Sequence, residues 1–98
     1  MYARVARFEG ADAETLKQTA TRINSDADSG PPEGVPAKGL ILLIDPVTGG
    51  SLGITLFENE DDYRKGDENM NEMSPPVDGG MGRRVSVDKY EVAVKVEV

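Results

Sequence analysis

The stretch Gly39-Leu40-Ile41-Leu42-Leu43-Ile44-Asp45 carries apolar side chains at five consecutive positions and is short. A run of this length and composition predicts a strand, and alternate residues of a strand point to opposite faces of its sheet. Both faces of this strand must therefore leave water. We predict that it lies at the centre of the sheet.

The stretches on either side of this run complete a sheet. Turn residues occupy 45–50, and β character returns over 51–58, which predicts a hairpin. Residues 2–8 predict a first strand that ends at a glycine. Residues 85–98 alternate between apolar and charged side chains, which predicts a long last strand with one wet face.

Two segments have the spacing of helices. Asp12 is a good N-cap, and the residues after it form one apolar stripe of a helix that ends near residue 26. Asn59 is the predicted cap of a second helix with an acidic first turn. The apolar side of that helix is thin, and Gly66 weakens it unless close packing requires a glycine there. Residues 28–36 and 74–82 are rich in helix breakers and predict loops.

These elements follow the order strand, helix, strand, strand, helix, strand. That order predicts an α+β domain with a ferredoxin-like βαββαβ fold, whose antiparallel sheet carries both helices on one face. Residues 1–98 are expected to form one domain, since a chain of this length holds one core. The other sheet face would stay exposed in a single chain, so we predict a homodimer.

Composition excludes several classes of function. Eleven basic and 18 acidic residues give a net charge of −7, which disfavours nucleic acid and membrane surfaces as partners. The chain has no Cys and no His, so thiolate and imidazole chemistry is absent. We predict no metal and no cofactor. With neither a signal peptide nor an apolar run of about 18 residues, the expected location is cytoplasmic.

Four short stretches resemble the dimeric α+β barrel superfamily, and in particular the antibiotic biosynthesis monooxygenase family. They are Tyr2-Ala3-Arg4-Val5, Gly39-Leu40-Ile41-Leu42, Ile54-Thr55-Leu56-Phe57-Glu58-Asn59-Glu60 and Ser86-Val87-Asp88-Lys89-Tyr90-Glu91-Val92. The resemblance extends over nearly the whole chain and concerns the fold rather than a catalytic signature. It implies two chains whose sheets face each other in a closed barrel, with a ligand cleft between each sheet and its helices.

The chain departs from the known activities of that family. Haem-degrading members use a histidine on the second helix and a tryptophan at the end of the third strand. This chain lacks both residue types, and Phe57 stands at the tryptophan-like position. Quinone-forming oxygenases use Asn, Trp, Tyr and Arg, and none of the residues here matches those sites clearly.

The candidate ligand-binding residues are Arg4, Asn24, Phe57, Tyr63 and Asn69. A guanidinium from Arg4 or Arg7 can hold an anionic or phenolate group, although a salt bridge at the rim is the simpler interpretation. Tyr63 and the two asparagines can orient a ligand by hydrogen bonds. The simpler role for Tyr63 is an anchor of the core.

Two functions fit this inventory. The first is a non-catalytic dimer that binds a small hydrophobic or aromatic molecule in the cleft between sheet and helices. The alternative is a cofactor-independent oxygenase that acts on a small aromatic substrate. The sequence leaves open whether the protein is an enzyme, because no catalytic residue can be assigned and fold resemblance alone does not determine activity.

Overall fold

A computed structural model describes residues 1–26, 30–31, 34–72 and 81–97. It contains four strands and two helices in the predicted chain order. The strands are β1 (Tyr2–Glu9), β2 (Gly39–Asp45), β3 (Gly50–Phe57) and β4 (Arg83–Glu91), and the helices are α1 (Ala13–Asp26) and α2 (Glu60–Asn71). The four strands form one antiparallel sheet, so the α+β class is confirmed.

The sheet has the strand order β2-β3-β1-β4, which places β2 at an edge. The prediction that this apolar strand is central was wrong. An apolar run indicates how much surface must leave water, but it does not indicate which strands lie beside it. Within one chain, Leu40 and Ile41 on opposite faces of β2 are 51% and 47% exposed.

The last strand is shorter than predicted, since β4 ends at Glu91 instead of residue 98. The backbone N–H of Val92 donates to the carbonyl oxygen of Met1 at 2.9 Å, where the neighbouring strand begins. No further residue of β1 remains for pairing, so the alternating valines continue beyond the sheet. Val94 and Val96 are 78% and 75% exposed.

Both helices begin at the predicted caps. Asp12 Oδ1 accepts a hydrogen bond from the backbone N–H of Thr15 at 2.9 Å, and Asn59 Oδ1 accepts one from Asp62 at 2.8 Å. The helix α2 ends at Asn71. Of the two predicted loops, residues 28–29, 32–33 and 74–80 lie outside the described residues, as does Val98 at the end of the predicted last strand. Neither described helix is long and apolar enough to cross a membrane.

The two faces of the sheet differ in what covers them. Arg4 of β1 contacts α2, so alternation and the strand register assign every other residue to the helix side. We call the opposite side the open face. The following residues of the four strands belong to it: Ala3, Val5, Arg7, Ile41, Leu43, Leu52, Ile54, Leu56, Asp88 and Tyr90.

The core on the helix side is small and depends on close contact between α2 and β3. Phe57 is fully buried and packs with Tyr63 and Val35. A methyl group added at Gly66 would overlap the Phe57 ring, so only glycine lets the helix approach this closely. The structure therefore supplies the close packing that justifies a glycine in the middle of α2.

Replacing Gly66 by alanine is expected to lower the free energy of unfolding by about 1–3 kcal/mol, even after a gain in helix propensity of about 1 kcal/mol. The new methyl group must displace the buried Phe57 ring. Urea denaturation measures the change. The control is Gly53→Ala, because a methyl group there meets no described atom within 4 Å. Equal stability of Gly66→Ala and the wild type would contradict this packing.

Candidate functional site

Four of the five predicted ligand-binding residues lie together, between the sheet and α2. Arg4 is on β1, Phe57 is the last residue of β3, and Tyr63 and Asn69 are on α2. The fifth, Asn24, is an exposed residue of α1. The site is therefore built by α2 and the two central strands, while Asn24 belongs to another surface.

Arg4 is buried, with 4% of its surface exposed, and is held by α2. Its Nε donates to Asp67 Oδ1 at 2.7 Å and its Nη2 donates to Asn71 Oδ1 at 3.1 Å. This is an ion pair, as the simpler interpretation expected, but it lies beneath a helix rather than at the rim. A buried guanidinium needs such a partner, because an unpaired charge away from water is strongly destabilising.

Phe57 and Tyr63 fill the space between their two elements. Their rings meet edge to face with centroids 5.6 Å apart and planes inclined by 74°. Phe57 is 0% exposed and Tyr63 is 8% exposed. Both act as anchors of the core, and there is no room for a ligand between them.

Asn69 has a structural contact in the described chain. Its Nδ2 donates to the backbone carbonyl oxygen of Gly34 at 2.5 Å. Gly34 has a φ of +79°, a conformation that favours glycine, and the Asn69 amide leaves no space for a side chain there. The contact ties the segment before β2 to α2.

The surroundings of Tyr63 favour its neutral hydroxyl. Burial raises the pKa of the phenol above its ordinary value, the negative charge of Asp67 raises it further, and Arg4 acts in the opposite direction. The Lys89 ammonium lies 5.2 Å from the centre of the ring and donates to Glu60 Oε1 at 3.1 Å. At neutral pH Tyr63 is therefore a hydrogen-bond donor and not a base.

A second group of residues, which the sequence did not single out, lies on the helix side of β3. We call Ser51, Gly53 and Thr55 the sheet floor. The Ser51 hydroxyl is buried and has no hydrogen-bond partner among the described residues. Beside it there is open space above Gly53, and Thr55 pairs in register with Arg4. The sheet floor thus combines room, an unused polar group and a nearby guanidinium.

The sequence contains features that could have identified two of these residues, Gly53 and Asp67. A glycine inside a strand commonly marks a place where another group approaches closely, which applies to Gly53. Asp67 follows Tyr63 by four residues, so the two share one face of α2. Ser51 and Thr55 had no such signal, because small polar residues are ordinary in strands and hairpins.

Two hollows lie on the described surface, and the second includes Ser51 of the sheet floor among its lining residues. One, of about 470 Å³, runs along the outer side of α1. The other, of about 400 Å³, lies at the hairpin end of the sheet, where Arg7, Leu43 and Leu52 are among its lining residues. Neither contains a predicted ligand-binding residue.

Comparison with known proteins gives no match, since no protein-family model fits the sequence and no curated protein or solved structure is significantly similar to the chain. The chain's own residues are therefore the basis for assigning a function.

The raised pKa of Tyr63 makes stability depend on alkaline pH. The folded state holds the phenol proton more tightly than the unfolded chain does, so its stabilising contribution is complete below about pH 10 and is lost as the pH rises through the folded pKa. Urea denaturation at several pH values should show this loss in the wild type. Tyr63→Phe should lose stability less steeply above pH 10.

The two proteins are compared over the same pH range and at the same protein concentration. The same alkaline slope in Tyr63→Phe and the wild type would show that burial of Tyr63 does not affect its ionisation.

Proposed function

We propose that this protein is a non-catalytic homodimer of the dimeric α+β barrel type, which binds a small hydrophobic or aromatic molecule between its sheet and its helices. The observation that carries the proposal is the apolar open face of the sheet. The helix α2 packs on the other face, and Ile41 and Leu43 are 47% and 49% exposed in the single chain. Large exposed apolar patches on soluble proteins mark interaction surfaces.

The connections between strands support a ferredoxin-like fold. The helix α1 joins β1 to β2, and β3 lies between those two strands in the sheet. The helix α2 joins β3 to β4, and β1 lies between them. Two such split βαβ units make up the ferredoxin-like arrangement.

The size of the open face supports pairing with a second copy. Four strands spaced about 4.8 Å apart, paired over lengths of about 24 Å, give a projected area of roughly 450 Å². Side chains that stand out from the sheet make the accessible area larger than this projection. A standard interface buries about 800 Å² on each partner, so the face is of the right order of size for a dimer.

The sheet floor supports a ligand site on the other side of the sheet. Ligand pockets are mainly apolar, with a few polar groups that fix orientation. Ala6 and Gly53 are paired in register, there is open space above Gly53, and the buried Ser51 hydroxyl has no hydrogen-bond partner among the described residues. In this proposal Ala6 and Gly53 leave room for the apolar part of the ligand, and the Ser51 hydroxyl forms a hydrogen bond with its polar end.

The chemistry of these residues favours binding over catalysis. A raised pKa keeps the Tyr63 phenol neutral, and the Arg4 guanidinium is already paired with Asp67. The oxygenase alternative requires one of these groups to stabilise a reacting anion. It would have to break the Arg4–Asp67 pair first.

Ile41→Lys should convert a wild-type dimer into a monomer at micromolar concentration. The new ammonium would be buried without a partner in the interface, at a cost of several kcal/mol. Leu40→Lys is the matched control, because Leu40 is equally exposed on the same strand but points to the helix side. Sedimentation velocity distinguishes the two forms. A wild-type monomer, or a dimer of Ile41→Lys, would contradict assembly through the open face.

Gly53→Val should reduce the binding of an aromatic anion, since the valine side chain fills the space above the sheet floor. The probe is 1-anilinonaphthalene-8-sulfonate, whose fluorescence rises in apolar sites. We expect saturable binding by the wild type and at least a tenfold weaker affinity in Gly53→Val. Gly39→Val is the control on the neighbouring strand, where the added group points to the open face.

Two results would contradict this ligand site. One is an unchanged affinity in Gly53→Val. The other is a loss of binding in Gly39→Val as large as that in Gly53→Val, because the probe would then report the open face rather than the sheet floor.

A further inference from the structure

Two opposite charges on the open face have no partner among the described residues of their own chain. Arg7 is on the central strand β1 and Asp88 is on the edge strand β4. Across the described residues, neither side chain takes part in an ion pair or a side-chain hydrogen bond. The open face thus carries one cation and one anion that are unpaired within the described part of the chain.

Other charges near this face are already satisfied. Glu9 and Arg83 stand opposite each other in the β1–β4 pairing and form an ion pair. Asp45 Oδ1 accepts a hydrogen bond from the backbone N–H of Val47 at 3.0 Å, within the hairpin turn. Arg7 and Asp88 are the two charges that would lose their hydration when the face is covered.

The strand register places the two residues close together but not opposite each other. Arg7 pairs with Ser86, and Asp88 pairs with Val5, so Arg7 and Asp88 are diagonal neighbours on adjacent strands. Lys89 reaches over the Tyr63 ring on the helix side, which assigns its neighbour Asp88 to the open face. Both charges therefore point toward whatever covers that face.

We propose that Arg7 pairs with Asp88 of the partner subunit, twice in each homodimer, and that these two ion pairs set the register of the interface. This inference rests on the proposed homodimer. In a two-fold interface, if residue i contacts residue j, then j also contacts i. A face with one cation and one anion is self-complementary when these two groups meet across the axis.

The pairing also fixes where the symmetry axis lies. For each Arg7 to face Asp88 of the partner subunit, the two-fold axis must pass over the midpoint between these residues, beside Val5 and Ser86. Any other register would bury a charge without a partner, which costs several kcal/mol for each ion. The apolar side chains provide most of the buried interface area. The two ion pairs determine the register in which the two sheets face each other.

Charge reversal tests the pairing. Arg7→Asp leaves two anions on the face and Asp88→Arg leaves two cations, so each variant repels its own copy. We expect the dimer dissociation constant of each to rise by roughly 100-fold or more, because like charges in an interface cost several kcal/mol. Mixed in equal amounts, the two variants should form a heterodimer in which both contacts are complementary. Native mass spectrometry separates this heterodimer from both homodimers by mass.

The double variant Arg7→Asp/Asp88→Arg should regain the homodimer, and Arg22→Asp on the outer side of α1 should leave it unchanged. If the wild type is a dimer but the single variants remain dimers, or if their mixture gives no heterodimer, the ion pair is wrong while the homodimer stands. A monomeric wild type would overturn the homodimer itself and the pairing with it. Recovery of the heterodimer also shows that both variants are folded.

Discussion

The main constraint on this structure is that the sheet presents more apolar surface than the described helices cover. The open face of the sheet carries mainly apolar side chains, whereas α2 packs on the other face, where Arg4 contacts Asp67. Burial of apolar area is worth about 25 cal/mol per Å². Covering an open face of several hundred Å² would therefore be strongly favourable, and the single chain does not gain this free energy. The homodimer that we propose would bury this face against a second copy of the chain.

The helix side is organised by two contacts that bring α2 down onto the sheet. Gly66 lets the helix backbone approach the Phe57 ring. The Arg4–Asp67 ion pair lies between α2 and β1 and holds the helix on the sheet. These contacts involve Phe57 and Arg4, two of the residues that the sequence suggested for ligand binding. The space that remains lies along β3, above Gly53 and beside the unpartnered Ser51 hydroxyl. The ligand site we propose is therefore displaced from the aromatic pair toward the sheet floor.

Much of the local structure could be predicted from the sequence because local chemistry determines it. The caps Asp12 and Asn59 accept the backbone hydrogen bonds expected of them, and the chain order of strands and helices is as predicted. The position of β2 at an edge could not be predicted, since it depends on pairing between strands distant in sequence. The end of β4 at Glu91 depends on where β1 begins, and an alternating pattern contains no such information.

In the candidate site, too, local features could be predicted from the sequence, whereas contacts between distant residues could not. Because alternate residues of a strand point to opposite faces, the sequence is enough to separate Arg4 from Arg7 once β1 is recognised as a strand, and the contact of Arg4 with α2 identifies the face of each. It could not identify Asp67 as the partner of Arg4, because the two are joined only by the packing of α2 on the sheet. The open space above Gly53 likewise exists only because neighbouring side chains in three dimensions leave it empty.

The central claim is that a second copy of the chain covers the open face. Its most direct test is the solvent exposure of methyl groups in the wild type, measured by NMR as line broadening by a soluble paramagnetic agent. We expect the Ile41, Leu52 and Ile54 methyl groups to be protected at concentrations where the dimer forms and to become exposed on dilution. Strong broadening of these three methyl groups at every concentration would show that the open face stays in water and that no second copy covers it.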